Sequence, residues 1–210
     1  MSAWPEGTAG LDIYLLDQLL RGRVGGHARV LDAGCGKGRN LTWFLARGHD
    51  CHAIDRDAER AQATRELFAR YAAPEVARGV QERVRCEAIE DLSAPEAAFD
   101  LVICNAVLHF ARDEAHLRAM LAACWARVAP GGVFFARLAS TIGLPMARCQ
   151  SLGGRRYVQP DGDTRLLVDQ QLLLELTADL GAELLDPLKT TVVQDRRCMT
   201  TWVLGRPAQA

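Results

Sequence analysis

Residues 30–40 read Val-Leu-Asp-Ala-Gly-Cys-Gly-Lys-Gly-Arg-Asn, an acid at Asp32 followed by glycines at 34, 36 and 38. Glycines at alternate positions let a backbone turn through left-handed conformations and approach a ligand with no Cβ in the way. The run Ala28 to Ala33 before them is apolar and reads as a strand, and Asn40 to Arg47 after them reads as a helix. Strand, glycine loop and helix together make a nucleotide site. The spacing is not G-x-x-x-x-G-K followed by Ser or Thr, so Lys37 is not a P-loop lysine. Nor is it the G-x-G-x-x-G of dinucleotide oxidoreductases; it is G-x-G-x-G behind an aspartate.

With those residues the chain resembles the class I methyltransferases that use S-adenosylmethionine, strongly over about 28–139 and by topology over nearly its whole length. The resemblance makes Asp32, Gly34, Cys35, Gly36, Gly38 and Asn40 the floor under the methionine part of the cofactor, with Asp32 facing its ammonium group. It makes Asp55, at the end of HAIDRD, the acid that accepts hydrogen bonds from the ribose hydroxyls, a task suited to two carboxylate oxygens. Arg56 would cover the adenine face; in EAIEDL, Ala88 and Ile89 would pack on adenine while Glu90 or a neighbouring amide meets its polar edge. Asn105 and Ala106 would close the pocket where the fourth strand ends.

The sulfonium methyl of that cofactor is already activated, so neither a metal nor a protein nucleophile is implied; the enzyme holds acceptor, carbon and sulfur in line. A thiol or hydroxyl acceptor also needs proton removal, and His109, just past the fourth strand, is the candidate base. Tyr14 of the amino-terminal arm, together with Trp4, and Arg148, Arg155, Arg156, Tyr157 and Arg165 of a segment over 140–168 are candidates to meet the acceptor. At the fourth-strand end, NAVLHF lacks the Pro-Pro-aromatic run of nucleic-acid amine methyltransferases and partly resembles small-molecule and tellurite-resistance-type enzymes. The expected function is methyl transfer to a small molecule, against a nonenzymatic S-adenosylmethionine sensor or an RNA methyltransferase.

The elements that must position these residues alternate. Strands are expected at 28–33, 49–55, 84–88, 99–105 and 133–138, with helices between, one capped by Asp57 and ending near Tyr71. The Phe99–Asn105 run is apolar throughout, as in a strand covered on both faces. Leu117, Met120, Leu121, Cys124, Trp125 and Val128 mark a helix that Pro130, Gly131 and Gly132 stop. Residues 1–27 form an arm with a short helix striped by Leu11, Leu15, Leu16, Leu19 and Leu20. Pro145, Gly153, Gly154, Pro160 and Gly162 make 140–168 an inserted loop or hairpin covering the substrate. Asp169 caps a last helix striped by Leu172, Leu173, Leu176 and Leu180, and strands over 182–188 and 198–204 meet at a turn over 194–197. The rhythm predicts a doubly wound α/β fold in one domain over 1–210: a seven-stranded, mostly parallel sheet with an antiparallel carboxyl-terminal strand and helices on both faces.

Bulk properties agree with this reading and narrow it. With Lys+Arg 25 against Asp+Glu 26, the basic excess of many nucleic-acid binders is missing, and no DNA partner is expected. Seven cysteines without paired short spacing read as buried thiols in a reducing compartment rather than a zinc site. No run of eighteen apolar residues occurs, so the expected location is cytoplasmic with no membrane association; the oligomeric state is not legible.

Overall fold

The structure, a computed structural model, describes residues 7–208; Trp4, expected beside the substrate, lies outside them. In chain order it contains α1 (Ile13–Leu20), β1 (Arg29–Ala33), α2 (Thr42–Leu45), β2 (Asp50–Asp55), α3 (Ala58–Tyr71), α4 (Pro74–Arg78), α5 (Val80–Arg83), β3 (Val84–Cys86), β4 (Phe99–Asn105), α6 (Glu114–Arg127), β5 (Val128–Ala139), β6 (Gln150–Gly153), β7 (Arg156–Val158), β8 (Thr164–Leu166), α7 (Gln170–Asp179), β9 (Glu183–Leu184), β10 (Lys189–Val193) and β11 (Arg197–Gly205). The main sheet runs β10-β11-β5-β4-β1-β2-β3, with β9 added on β11. From β3 to β5 the pairing is parallel, and β11 pairs antiparallel with both β5 and β10. This is the expected doubly wound sheet, whose order reverses between β1 and β4 and so opens a crevice at the carboxyl ends of those strands.

Strand side chains alternate between faces, and here both faces are apolar. Leu31, Val102, Cys104, Phe134 and Ala136 pack under α6 and α7. Their neighbours Val30, Leu101, Ile103, Val133 and Phe135 pack against α1, α2 and α3, where Leu15, Phe44, Ala61 and Phe68 are fully buried. Burying each such large side chain contributes about 1.5–3 kcal/mol before chain entropy is subtracted. The helices start where aspartates allow: Asp12, Asp57, Asp113 and Asp169 each accept hydrogen bonds from first-turn amides of α1, α3, α6 and α7.

Four boundaries differ from expectation. Val128 does not extend the helix; it opens β5, which also holds Pro130-Gly131-Gly132. Proline keeps the preceding residue extended, and Gly131 at φ 76° takes up the irregularity where pairing jumps from Phe99↔Val128 to Leu101↔Val133. Leu20 is 80% exposed, while Gln18 is buried on α1 because its amide reaches the Asp186 carboxylate at 3.0 Å. The helix after the glycine loop is only α2, and β3 stops at Cys86 before a 3₁₀ turn at Ile89–Asp91. The expected strand over 182–188 reduces to β9, because Asp186 is drawn to Gln18 and Arg23 and Pro187 has no ladder donor. Its place beside β11 is taken by the β-branched β10.

The segment over 140–168 is a separate three-stranded antiparallel sheet, β6-β7-β8. Among the described residues no helix is long and apolar enough to cross a membrane.

Candidate active site

A cavity of about 450 Å³ occupies the crevice beyond β1 and β4. Gly34, Cys35, Gly36, Asn40, Asp55, Arg56, Ala88, Ile89, Glu90, Asn105 and Ala106 all line it, so the residues expected around one ligand are brought together from five separate stretches of chain. The turn out of β1 is held by the amides of Gly34 and Cys35, both donating to the Ile54 carbonyl at 2.9 Å. Gly34 sits at φ 83°, and a Cβ there would lie 2.5 Å from a Val107 methyl. Gly36, at φ 57°, has nothing within 4 Å of where a Cβ would project, so the chain itself can be approached closely there.

Asp55 organises this loop. Its Oδ2 accepts from the Gly36 amide at 2.8 Å and its Oδ1 from the Asp57 amide at 2.9 Å. Each oxygen keeps a second lone pair facing a cavity that it lines. Asp32 and Gly38 do not line the cavity. Asp32 is 1% exposed beneath the loop and its Oδ2 has no hydrogen-bond partner. Burial pushes its carboxyl up to about 7, with Arg39 opposing and Asp55 adding to the rise. Gly38 packs instead toward Thr64, whose hydroxyl lies 3.1 Å from where its Cβ would be.

Several cavity residues carried no sequence signal. His116 and Met120 come from α6, four residues apart on one face, and Phe110 follows β4. His116 accepts the Arg112 amide on Nδ1 at 3.1 Å, which places its proton on Nε2, 2.9 Å from Glu90 Oε1. Its own amide, then His116 and Arg112, hold the Glu90 carboxyl below its ordinary value against the pull of burial. Asp12, which does not line the cavity, ties two residues that do. Beyond capping α1, its amide donates to Asn40 Oδ1 at 3.1 Å, while its carboxylate accepts from Asn105 at 3.1 Å and Arg137 at 3.2 Å. The spacing Asp12-Ile13-Tyr14 announces a helix cap, and nothing in it announces a pocket contact.

A second cavity of about 290 Å³ adjoins the first, sharing Ala106 and Phe110 with it. Its other walls are His109, Arg137, Arg165, Val193, Arg197 and Met199. Ala106 stands between the two at φ 63°, an unusual conformation for a residue with a side chain, fixed by its amide donating to the Arg137 carbonyl at 2.7 Å. His109 is 4% exposed and its Nδ1 accepts the Ala139 amide at 3.2 Å. Burial and the nearby Arg165 push its imidazole down to about 3. The ring is thus neutral with its proton on Nε2, the state of a hydrogen-bond donor.

Among the described residues of the arm and of 140–168 expected to meet an acceptor, Arg165 alone lines this second cavity. Tyr14 hydrogen-bonds Thr191 at 2.5 Å and lies under the Arg137 guanidinium. Arg155 is spent on Asp169 and Glu114, Arg148 and Arg156 are exposed, and Tyr157 packs on the small apolar cluster of Ala139, Leu144, Leu167 and Cys198.

Comparison with known proteins places these features. The "Methyltransferase domain" family matches residues 30–132. The chain is 34% identical over 133 residues to the ubiquinone biosynthesis O-methyltransferase of Xanthomonas axonopodis pv. citri, covering 62% of this chain and 50% of that protein. It is 31% identical over 147 residues to the tRNA 5-carboxymethoxyuridine methyltransferase of Escherichia coli, covering 69% of this chain and 52% of that one. The chain therefore spans about half the length of the curated relatives it matches. In fold it is similar to the Burkholderia thailandensis 1,6-didemethyltoxoflavin-N1-methyltransferase, crystallised with 1,6-didemethyltoxoflavin and S-adenosylhomocysteine: TM-score 0.67, 22% identity, 95% of this chain and 79% of that one.

Proposed function

We propose that this chain, which has the class I methyltransferase fold and matches the methyltransferase domain over residues 30–132, transfers the methyl group of S-adenosylmethionine to a small-molecule acceptor by direct in-line displacement. The observation that carries this reading is the pair of adjoining cavities, a glycine-floored one lined by Asp55 with Asp32 buried beneath its loop, and a second one meeting it at Ala106 and Phe110. The bound cofactor supplies an activated methyl whose C–S electron pair returns to sulfur as an acceptor lone pair forms the new bond.

The chain's own residues fit that group. The unpartnered Asp32 oxygen suits a cationic amine, since a buried carboxylate with no donor is costly until a positive charge meets it. Asp55 presents two free lone pairs to the ribose hydroxyls, Ile89 gives an apolar face for adenine, and Glu90, steadied by His116, gives its amino edge an acceptor. The second cavity orients the acceptor, and Ala106 and Phe110 keep its reactive atom against the donor cavity and apart from water. As held, His109 donates through Nε2 and so positions an acceptor oxygen or nitrogen; acting as base requires exchanging its Ala139 bond.

The match to a tRNA methyltransferase supports a second reading, an RNA nucleoside as acceptor. Titration with S-adenosylhomocysteine, followed by methyl transfer from labelled cofactor to a panel of phenols, amines and bulk tRNA, separates the readings. Micromolar binding with label on a small molecule is the expected result. Label on tRNA alone selects the second reading, binding without any transfer indicates a sensor, and no binding by folded protein removes the proposal.

A further inference from the structure

Resting on the methyl-transfer reading, we infer that the second cavity is an anion-selective acceptor site whose substrate is a small monoanionic carboxylic acid, with Arg197 as the residue that reads the carboxylate. Three guanidinium groups, on Arg137, Arg165 and Arg197, face this cavity of about 290 Å³ from β5, β8 and the start of β11. Two of them are answered inside the protein. Arg137 pairs with Asp12 at 3.2 Å, and Arg165 is bound by Gln159, by Asp161 at 2.9 Å and by Asp163. The Arg197 guanidinium forms no hydrogen bond or ion pair among the described residues, although Asp161 lies within its electrostatic reach. His109 adds no charge in its neutral state, so Arg197 is the cavity guanidinium left with no hydrogen bond or close ion pair of its own among the described residues.

A second, independent feature points the same way. Arg137 Nε is buried and has no hydrogen-bond partner, a donor left over after Asp12 has taken Nη1. Buried donors are ordinarily satisfied, and an orphan beside a free guanidinium is a place for an acceptor oxygen. A carboxylate supplies two oxygens and a single charge for one unpaired guanidinium and one orphan donor, whereas a phosphate monoester brings close to two charges beside the carboxylates of Asp161 and Asp163. Val193, Met199 and Phe110 complete the wall with apolar surface, which fits the carbon body of an aromatic or alicyclic acid. The volume lies just below the roughly 300–1,000 Å³ of drug-sized sites, which favours a small free acid over a residue of folded RNA.

The hairpin that carries Arg197 gives the reading a local cause. Val193 accepts from the Arg196 amide at 2.9 Å, and the two residues between them, Gln194 and Asp195, sit at φ 49° and 53°. That is the twist of a tight hairpin turn, and it sets the first residue of β11 at the rim, next to the end of β10.

The test uses the full chain and matched probes: hydroxybenzoates and aminobenzoates against their carboxamides, titrated by calorimetry with and without saturating S-adenosylhomocysteine. At least one carboxylate is expected to bind about 10-fold or more tightly than its amide. Arg197→Gln should erase that preference, Arg197→Lys should keep part of it, and neither should change S-adenosylhomocysteine affinity. Equal binding of acids and amides, no binding of any acid, or a preference that survives Arg197→Gln overturns the anion site while leaving methyl transfer intact. Failure to bind S-adenosylhomocysteine removes the methyltransferase reading, and the acid–amide contrast measured without it still decides the site. Tighter binding of benzyl phosphates than of benzoates, or methylation of tRNA but of no acid, also overturns it.

Discussion

The two cavities that meet at Ala106 are built by different means. The larger is floored by backbone, a glycine loop and strand ends tied by Asp55, with Asp32 buried beneath the loop. The smaller is made mostly of side chains from β5, β8, β10 and β11, three of them arginines. The domain match at residues 30–132 includes the strands and loops of the first and stops short of Arg137, Arg165 and Arg197. A ligand whose shape is shared among many enzymes can be held by main chain, where geometry is fixed by a few glycines and one acid. A ligand particular to one enzyme has to be read by side chains that the fold leaves free.

The contrast can be broken from either side, beginning with the strongest effect. Asp55→Ala removes the acceptor of two loop amides and of the ribose hydroxyls, so S-adenosylhomocysteine affinity should fall about 100-fold while carboxylate binding persists. Calorimetry on both ligands checks this, and parallel losses would show that the two cavities do not act separately.

Opposite charge should give opposite pH responses. Asp32 titrates near 3.8 in the unfolded chain and near 7 when buried, so the folded protein holds a proton between those values that the unfolded one has lost. Its contribution to stability is greatest below 3.8 and is lost as pH rises through 7, about 2–3 kcal/mol between pH 5 and 8. Urea unfolding of Asp32→Asn should lack that decline. His109 runs the other way, with a depressed value near 3 against 6.5 unfolded. Its contribution is full above 6.5 and drains as pH falls toward 3, by about 2 kcal/mol between pH 7 and 5. His109→Gln should flatten the acid limb, and an unchanged slope would mean the ring is protonated in the fold and free to serve in proton transfer. The smallest effect belongs to the hairpin: Gln194→Asn with Asp195→Gly relieves two positive φ angles and should raise stability by about 0.5–1 kcal/mol, read as a few degrees in melting temperature.

Legibility follows the same division. The glycine turn after β1, the place of Asp55 at a strand end and the Phe99–Asn105 strand are legible because each announces itself within a few residues, whereas nothing local shows that Asp32 and Gly38 stand back from the cavity. The mostly parallel, doubly wound sheet follows from strand–helix alternation. What failed did so where distant partners decide. Val128 looked like one more helical position until Pro130 and the pairing with Phe99 made it a strand. Gln18 displaced Leu20 from the interior because Asp186 lies across from it. Arg155 and Arg165 looked equivalent in sequence; one is consumed by Asp169 and Glu114, and the other reaches the cavity from β8. Arg197 carried no local signal at all, since what distinguishes it is a missing partner.

Ala106 has one more implication. The partition between the two cavities is Ala106, held by the Arg137 carbonyl and bearing only a methyl group, with the Phe110 ring beside it. Substitutions on either side therefore need not be compensated on the other. A lineage carrying this architecture can drift in what it modifies, one side chain at a time on β5, β8 and β11, with its supply of methyl groups never interrupted on the way.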